Sequence, residues 1–448
     1  MTATELAPAP PRVADIDTAL GDDTLAQLSG LFAAHGDAFR VHSPLLGKDL
    51  FVLSHPDHVR HVLVDNQANF GKGIGIERVA ILLGNGLMTS DGALWRAQRK
   101  AIQPAFHRTA VQGHLDDIVA ANRRLAERLG AQAGESIDIT QELSELTLEI
   151  VLRAIFGSAY EQLVADTNPF ALLNAESDRD LKFAYAFRKL GGRVQQEIAA
   201  RRTARVSAAL PSGDILQTLV DATDRQSGEP MPDRQIRDEV LTLIVAGHET
   251  TASALSWTWY LIAQHPQVAA QLHAEVDAAS DDERARPTAA RFTYAGQVIA
   301  EALRLYPPGW LLTRRARAPA SIAGVEVNAG DEILISPYLV HRHPGFWPDA
   351  ACFEPARFAA DTAASRSRFC YLPFGLGPRA CIGESLALVE MLAQVVTLAH
   401  RFDVTLVPGQ AINMEAKVNL RPRPAILVRA SARNCARISP HNGARSLA

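Results

Sequence analysis

Between Pro232 and Pro266 the chain contains no proline, and Ile236, Val240, Leu243 and Ile244 fall three and four residues apart along one apolar stripe. That spacing predicts an amphipathic helix. Asp233, directly after Pro232, gives it a start signal, because a short acidic side chain satisfies free N–H groups of a first turn. With no breaker before Pro266, the helix reaches about 30 residues, near 45 Å at 1.5 Å per residue. An element of that length crosses a whole globular unit, and the rest of the chain must be arranged around it.

The stretch from about residue 115 to 305 also reads mostly as helix, whereas strand signals are short and lie toward the two ends. Residues 50–53, 321–327, 332–336 and 424–429 are strand-like runs bounded by Gly and Pro. Strands drawn from both ends must meet in shared small sheets. The fold class expected is therefore mainly α with small β-sheets (α+β), one interwoven domain with a long central helix. That outweighs the two to four domains that 448 residues suggest by length alone. The expected limits are a flexible segment over 1–25, a single domain over 26–430 and a flexible tail over 431–448.

Composition narrows the function. The 45 Lys+Arg and 49 Asp+Glu give a net charge of -4, which argues against a nucleic-acid binder with its basic domain. A hydrophobic content of 47% excludes a disordered chain and supports a large core. Nowhere does the sequence hold the roughly 18 consecutive apolar residues a membrane span requires. The opening MTATELAPAPPRVADID carries acids and prolines where a signal peptide has an apolar run. Cys352, Cys370, Cys381 and Cys435 are too few and scattered for a disulfide framework. These readings place the protein in the cytoplasm.

Residues 369–386, FCYLPFGLGPRACIGESL, concentrate the chemistry. Phe374, Gly375, Gly377, Pro378 and Gly383 surround Cys381, and helix-forming sequence resumes just after it. A thiolate before a helix N-terminus meets free backbone N–H groups and the positive dipole end, which lower its pKa. Gly377 and Gly383 let backbone approach a flat partner, and Arg379 offers a fork for a carboxylate. From these residues alone, a buried structural cysteine in a glycine-rich turn remains the alternative.

Phe374, Gly377, Arg379, Cys381 and Gly383 fill the pattern F-x-x-G-x-R-x-C-x-G. The segment resembles the haem-binding signature of the cytochrome P-450 superfamily, and the resemblance extends from about residue 30 to residue 430. It implies haem b as cofactor and Cys381 as the axial thiolate of its iron, with Phe374, Gly375, Arg379 and Gly383 shaping the binding loop. The other three cysteines are then structural. AGHETT, Ala246 to Thr251, lies within the long helix. A carboxyl beside a hydroxyl in an apolar stripe is locally costly, and Gly247 weakens a helix by about 1 kcal/mol relative to Ala. This stretch looks like the family's oxygen-activation motif, with Glu249 and Thr250 as the acid–alcohol pair that relays protons.

Two further motifs imply support. Glu301-Ala-Leu-Arg304 and Phe353-Glu-Pro-Ala-Arg357-Phe358 resemble the family's E-x-x-R and P-E-R-F elements, so Glu301, Arg304 and Arg357 would interlock beneath the haem loop. His343 stands where the family often has an Asp. Trp95 and Arg99 resemble the W-x-x-x-R of the haem-flanking helix, which makes them propionate partners together with Arg379 and Arg315. The resemblance places the substrate against Met88, Leu243, Ala246, Gly309, Trp310, Leu311, Leu312, Val418 and Asn419. These are mostly apolar or small, which suits a hydrophobic molecule without ionic anchors: a terpenoid, a polyketide or macrolide, or a fatty-acid-like chain.

The function implied by the resemblance is that of a haem-thiolate monooxygenase: insertion of one oxygen atom from dioxygen into a hydrophobic small molecule, by hydroxylation or epoxidation. No flavin- or iron–sulfur-bearing extension is present, so electrons would come from a ferredoxin or flavodoxin-type donor with its reductase. Arg96, Arg99, Lys100, Arg108 and Arg379 form a basic patch suited to an acidic donor. A monomer is expected. A peroxide-driven or isomerase-type haem-thiolate enzyme and a non-catalytic haem-binding protein are the competing readings; neither needs Glu249 and Thr250.

Overall fold

The computed structural model describes residues 10–16, 23–165, 181–205, 213–223 and 228–433. The central helix runs Asp233–Gln264, with Pro232 as its N-cap and Asp233 as its first residue. Pro266 opens the next helix, Pro266–Asp277, so the proline that ends one element starts another. The central helix packs on the helix Ile139–Phe156. They approach closely at Gly247, where a Cβ would fall 2.9 Å from Cγ2 of Val151. The glycine that weakens the helix is what allows the crossing.

The largest sheet has six strands: β1 Arg12–Asp15, β2 Ala38–Ser43, β3 Lys48–Leu53, β4 Phe70–Lys72, β5 Leu312–Ala316 and β6 Glu332–Ile335. Their order is β1-β2-β3-β6-β5-β4. The chain's two ends meet where β3 pairs in parallel with β6, Phe51 opposite Ile333. Phe39, Val41, Leu50, Val52 and Leu334 enter one apolar cluster, while Phe51, Leu53, Phe70, Ile333 and Ile335 enter another. Both faces are thus covered, which explains why β3 reads as a continuous apolar run instead of alternating.

Other expectations shift. Residues 321–327 form an antiparallel hairpin, Ala320–Ile322 with Val325–Val327, because Ala323 and Gly324 take positive φ, 46° and 90°, at its turn. The last strand is Leu427–Ala432 rather than 424–429, and it pairs with Phe402–Leu406. It therefore carries two residues of the expected tail. At the other end, β1 pairs with β2 and a helix begins at Thr24, so part of the segment expected to be flexible belongs to the folded body. The remainder of those segments, 1–9, 17–22 and 434–448, lies outside the described residues, and Cys435 with it. Cys370 is buried but Cys352 is exposed. Among the described residues no helix is long and apolar enough to cross a membrane.

Arg304 is fully buried in the helix Thr293–Leu305. Its Nε and Nη2 donate to Glu301 at 2.6 and 2.7 Å. Its remaining donors reach the carbonyls of His341, Ala350 and Cys352, so all five guanidinium N–H groups are used. Glu301 also accepts the N–H of Glu354 at 3.0 Å and lies 3.4 Å from Nε of Arg357. The interlock expected of Glu301, Arg304 and Arg357 is present. His343 finds its partner in Asp37, 2.8 Å from its Nε2. Replacing Glu301 by Ala leaves Arg304 buried and unpaired, which costs roughly 3–5 kcal/mol; an unchanged denaturant midpoint would show that the pair holds nothing.

Candidate functional site

Cys381 stands just ahead of the helix Glu384–Arg401. Its N–H donates to the carbonyl of Phe374 at 2.8 Å, and Ala380 donates to Gly377 at 3.0 Å. Gly375 and Gly377 hold φ of +70° and +72°, and a Cβ on Gly377 would fall 1.9 Å from the carbonyl oxygen of Leu63. The close approach at Gly377 is therefore to neighbouring backbone, not to a flat partner. At Gly383 an added Cβ would only touch Sγ of Cys381 and Cε1 of Phe106, both at 3.9 Å. Cys381 is exposed as a residue, yet protein crowds its sulfur. That dehydration raises its pKa above the usual range, against the pull of the N–H groups of Gly383 and Glu384 and the charge of Arg99. Sequence reasoning expected the helix terminus to lower it; the terminus is in place, and burial outweighs it.

Trp95 and Arg99 lie on the helix Gly92–Ile102. Arg99 donates to the carbonyl of Ala380 at 2.8 Å and to Gln103 at 2.9 Å, fastening the cysteine loop. The guanidinium of Arg379 stacks 4.4 Å over the ring of Trp95. Its Nη2 bonds Asp91, while its buried Nη1 has no hydrogen-bond partner among the described residues. Asp91 also accepts the N–H of Gly92 at 2.6 Å and of Lys72 at 3.1 Å, and pairs with Arg317 at 2.8 Å. Burial alone would raise its pKa, yet these donors and cations hold it at about 2.

Arg315 is corrected. Its Nε donates to Glu332 at 2.5 Å and its Nη2 lies 3.5 Å from Glu77. Successive residues of a strand face opposite ways, and it is Arg314 that joins Arg379. Burial, then the charge of Arg379, lowers Arg314 to about 10. Lys72, directly across from it in the β4–β5 pair, is lowered to about 7 by burial and by Arg314 and Arg379. Sequence reasoning missed both. The alternation of β5 would have separated Arg314 from Arg315, while nothing local marked Lys72.

On the other side, Glu239, Leu243, Ala246 and Thr250 recur at spacings of four, three and four, hence along one face of the central helix. Oγ1 of Thr250 donates to the carbonyl of Ala246 at 2.7 Å. Glu249 is exposed, so the burial cost expected for its carboxyl does not arise. The loop carrying half-buried Met88 is fastened to this helix: Asp238 accepts the N–H of Asn85 at 3.0 Å and Glu239 that of Leu87 at 2.8 Å. Trp310 packs into the core against the six-stranded sheet. It is 1% exposed in the core, and its Nε1 donates to the carbonyl of Lys417. Gly309 is exposed, and Leu311 and Leu312 are half-buried. Val418 is 59% exposed, while Asn419 turns its amide to Glu249 at 3.4 Å.

The family profile described as cytochrome P-450 matches residues 16–176 and 161–429. The chain belongs to the cytochrome P-450 family. It is 33% identical over 416 residues to cyclooctatin synthase of Streptomyces melanosporofaciens, covering 88% of this chain and 89% of the relative. It is 34% identical to cyclooctat-9-en-7-ol 5-monooxygenase of the same organism, over 85% of each chain. Identity to pentalenene oxygenase of Streptomyces avermitilis is 28%, over 90% and 91% of the two chains. This cytochrome P-450 is thus an oxygenase whose cofactor is haem b. The residues fit that group. Lys72, Arg314, Arg317 and Arg379 gather around a single acid, Asp91, and this excess of positive charge, with the unsatisfied Nη1 of Arg379, suits two propionates. The thiol of Cys381 suits the iron.

Two measurements follow from this geometry. Arg314→Ala should weaken haem binding by the apoprotein about tenfold, the effect of one charge-assisted hydrogen bond, and Arg315→Ala should leave it nearly unchanged. The reverse ranking would return the propionate role to Arg315. Glu239 supplies a pH signature. Burial pushes it from 4.5 to about 8, the N–H of Leu87 opposes this, and the charge of Asp238 adds to it. Between these values the fold keeps a proton that the unfolded chain has lost, so its contribution falls as pH rises from about 4.5 to about 8. Glu239→Gln should flatten that decline and melt above the parent at pH 8. Parallel melting curves for the two proteins would contradict it.

Proposed function

We propose that this cytochrome P-450 inserts one oxygen atom from dioxygen into a terpenoid-type, largely hydrocarbon skeleton, by hydroxylation or epoxidation. The observation that carries the reading is the face Leu243–Ala246–Thr250 of the central helix, apolar up to one hydroxyl and with Glu249 beside it. Such a wall excludes water and offers a substrate shape rather than charge. The names of the relatives point the same way: pentalenene and cyclooctat-9-en-7-ol denote unsaturated carbon skeletons. The reaction consumes dioxygen, two electrons and two protons, and it yields the oxygenated product and water.

Haem, when bound through Cys381, supplies the activation of dioxygen. The protein's task is to hold it, exclude bulk water and bring protons to one side. Lys72, Arg314 and Arg379 would hold the propionates, with Trp95 beneath Arg379 and Arg99 steadying the loop. Thr250 would place a hydroxyl at the reacting face, and Glu249, open to solvent, would carry protons inward. Electrons would arrive from a ferredoxin or flavodoxin-type donor and its reductase, steered by Arg96, Lys100 and Arg108. The retained acid–alcohol pair favours this route over a peroxide-driven or isomerase-type reaction.

Thr250→Ala separates proton delivery from cofactor binding. The variant should hold haem and ligand as the parent does and still consume reducing equivalents. Product per electron pair should fall about tenfold or more, within the range set by losing a positioned proton donor, and hydrogen peroxide should rise in its place. Full coupling in Thr250→Ala would remove the hydroxyl from the mechanism.

A further inference from the structure

Glu249 and Thr250 are neighbours in sequence, but different parts of the molecule hold them. Thr250 is tied to its own helix through Ala246. Oε2 of Glu249 accepts Nδ2 of Asn419, 3.4 Å away, from a residue 170 positions further along the chain. Asn419 sits in the turn of the hairpin β7 Asn413–Ala416 and β8 Leu420–Arg423. Val418 beside it is 59% exposed, whereas Asn419 is 7% exposed. The turn thus presents one side chain to solvent and commits the next to the central helix.

The backbone of that turn is fixed from outside. The carbonyl of Leu420 accepts Oγ of Ser253 at 2.5 Å and Nε1 of Trp257 at 3.1 Å. The N–H of Leu420 donates to the carbonyl of Pro308 at 3.0 Å, and the carbonyl of Lys417 accepts Nε1 of Trp310 at 2.9 Å. Ser253 and Trp257 follow Glu249 at i+4 and i+8, so the surface that carries the acid also docks the turn. Within the hairpin, Lys417 lies 3.2 Å from buried Glu415, which Arg421 and Arg423 also bond. An amide on so constrained a backbone has few orientations, and this one meets a carboxylate.

We propose that Asn419 is a positioning residue for Glu249, fixing its carboxylate so that protons enter the reaction site from one place. The inference rests on the relay reading given above. An amide N–H to an ionised carboxylate is a charge-assisted hydrogen bond, stronger than a neutral one, and it biases the rotamer of this exposed side chain. Asn419 therefore acts through Glu249 and not through substrate.

The test uses the haem-loaded protein and the variants Asn419→Ala, Asn419→Asp, Glu249→Gln and the double variant Glu249→Gln with Asn419→Ala. The Glu249 carboxylate stretch is isolated by subtracting the infrared spectrum of Glu249→Gln, and it should shift in Asn419→Ala. Product per electron pair should fall about three- to tenfold, the scale of one hydrogen bond to a charged group, and the solvent deuterium isotope effect on turnover should rise. Haem content and the ligand-induced spin-state change should stay at parental values. Asn419→Asp keeps the shape but replaces the donor by a like charge, so it should be at least as damaging as Ala. The double variant should be no worse than Glu249→Gln alone, as expected of residues acting in one unit. An unmoved carboxylate band, a well-coupled Asn419→Asp, or losses that multiply in the double variant would each overturn the proposal. If Glu249→Gln itself keeps parental coupling and isotope effect, the relay reading fails, while the infrared shift still decides whether Asn419 holds Glu249.

Discussion

The position of the reactive sulfur depends on a buried ion pair some distance from it. Arg304 and Glu301 face each other with no exposure at all, where two charges are tolerated only if every donor and lone pair is engaged. Arg304 meets that condition by binding three carbonyls of the irregular chain between His341 and Cys352. That chain has no strand ladder to define its path. Its path is set by the guanidinium fork, whose geometry is rigid. From there the order passes through His341. Its Nδ1 lies 3.1 Å from the carbonyl of Arg304, and its Nε2 accepts the N–H of Leu372 at 2.8 Å. These bonds require the neutral ring, and burial keeps His341 at about 3. Leu372 leads into Phe374, whose carbonyl receives the N–H of Cys381. A continuous set of bonds thus runs from an ion pair to the thiol.

The cationic site obeys a different constraint. Strand register, rather than a loop, sets Lys72 opposite Arg314, and the cysteine loop adds Arg379 beside them. Burial first, and then repulsion among three like charges, makes Lys72 and Arg314 lose basicity. Asp91 offsets part of this by binding Arg379 and Arg317. Because Asp91 also caps the helix that bears Trp95 and Arg99, one carboxylate aligns strand, helix and loop around this cationic site.

Much of this was legible in the sequence, and the exceptions have definite causes. The central helix and the Glu301–Arg304 pair are local motifs, and the structure contains them as read; the cysteine loop lies just ahead of a helix, as its sequence indicates. Errors arose where a residue's role depends on which face it occupies or on what a distant segment brings. Arg314 and Arg315 are adjacent in sequence, and only the pairing of β5 with β4 and β6 decides between them. Trp310 follows a turn and precedes a strand, and its own segment does not show that the sheet covers it. The bond of Asn419 to Glu249 was not legible, because nothing in its own segment reveals that Ser253 and Trp257 hold its turn against the central helix. The cysteine was misjudged in energy, not in place: a dipole argument omits the dehydration that a glycine-rich, tightly seated loop imposes.

The distal side shows how one helix organises two unrelated segments. Upstream of Gly247 the helix presents acceptors, Asp238 and Glu239, to the N–H groups of the Met88 loop. Downstream it presents donors, Ser253 and Trp257, to the carbonyl of Leu420 in the hairpin turn. Neither segment is positioned through the other; each is referred to the same rod at a fixed axial distance. From Glu239 to Ser253 that distance is about 21 Å, fourteen residues at 1.5 Å each. Sequence changes in the loop or the turn can then reshape the space above Leu243 and Ala246 while the anchoring bonds stay in place. The groups proposed for proton delivery lie between the two anchors, where the close crossing at Gly247 holds the helix against Val151. Substrate shape can vary at the ends of that span because its middle is fixed.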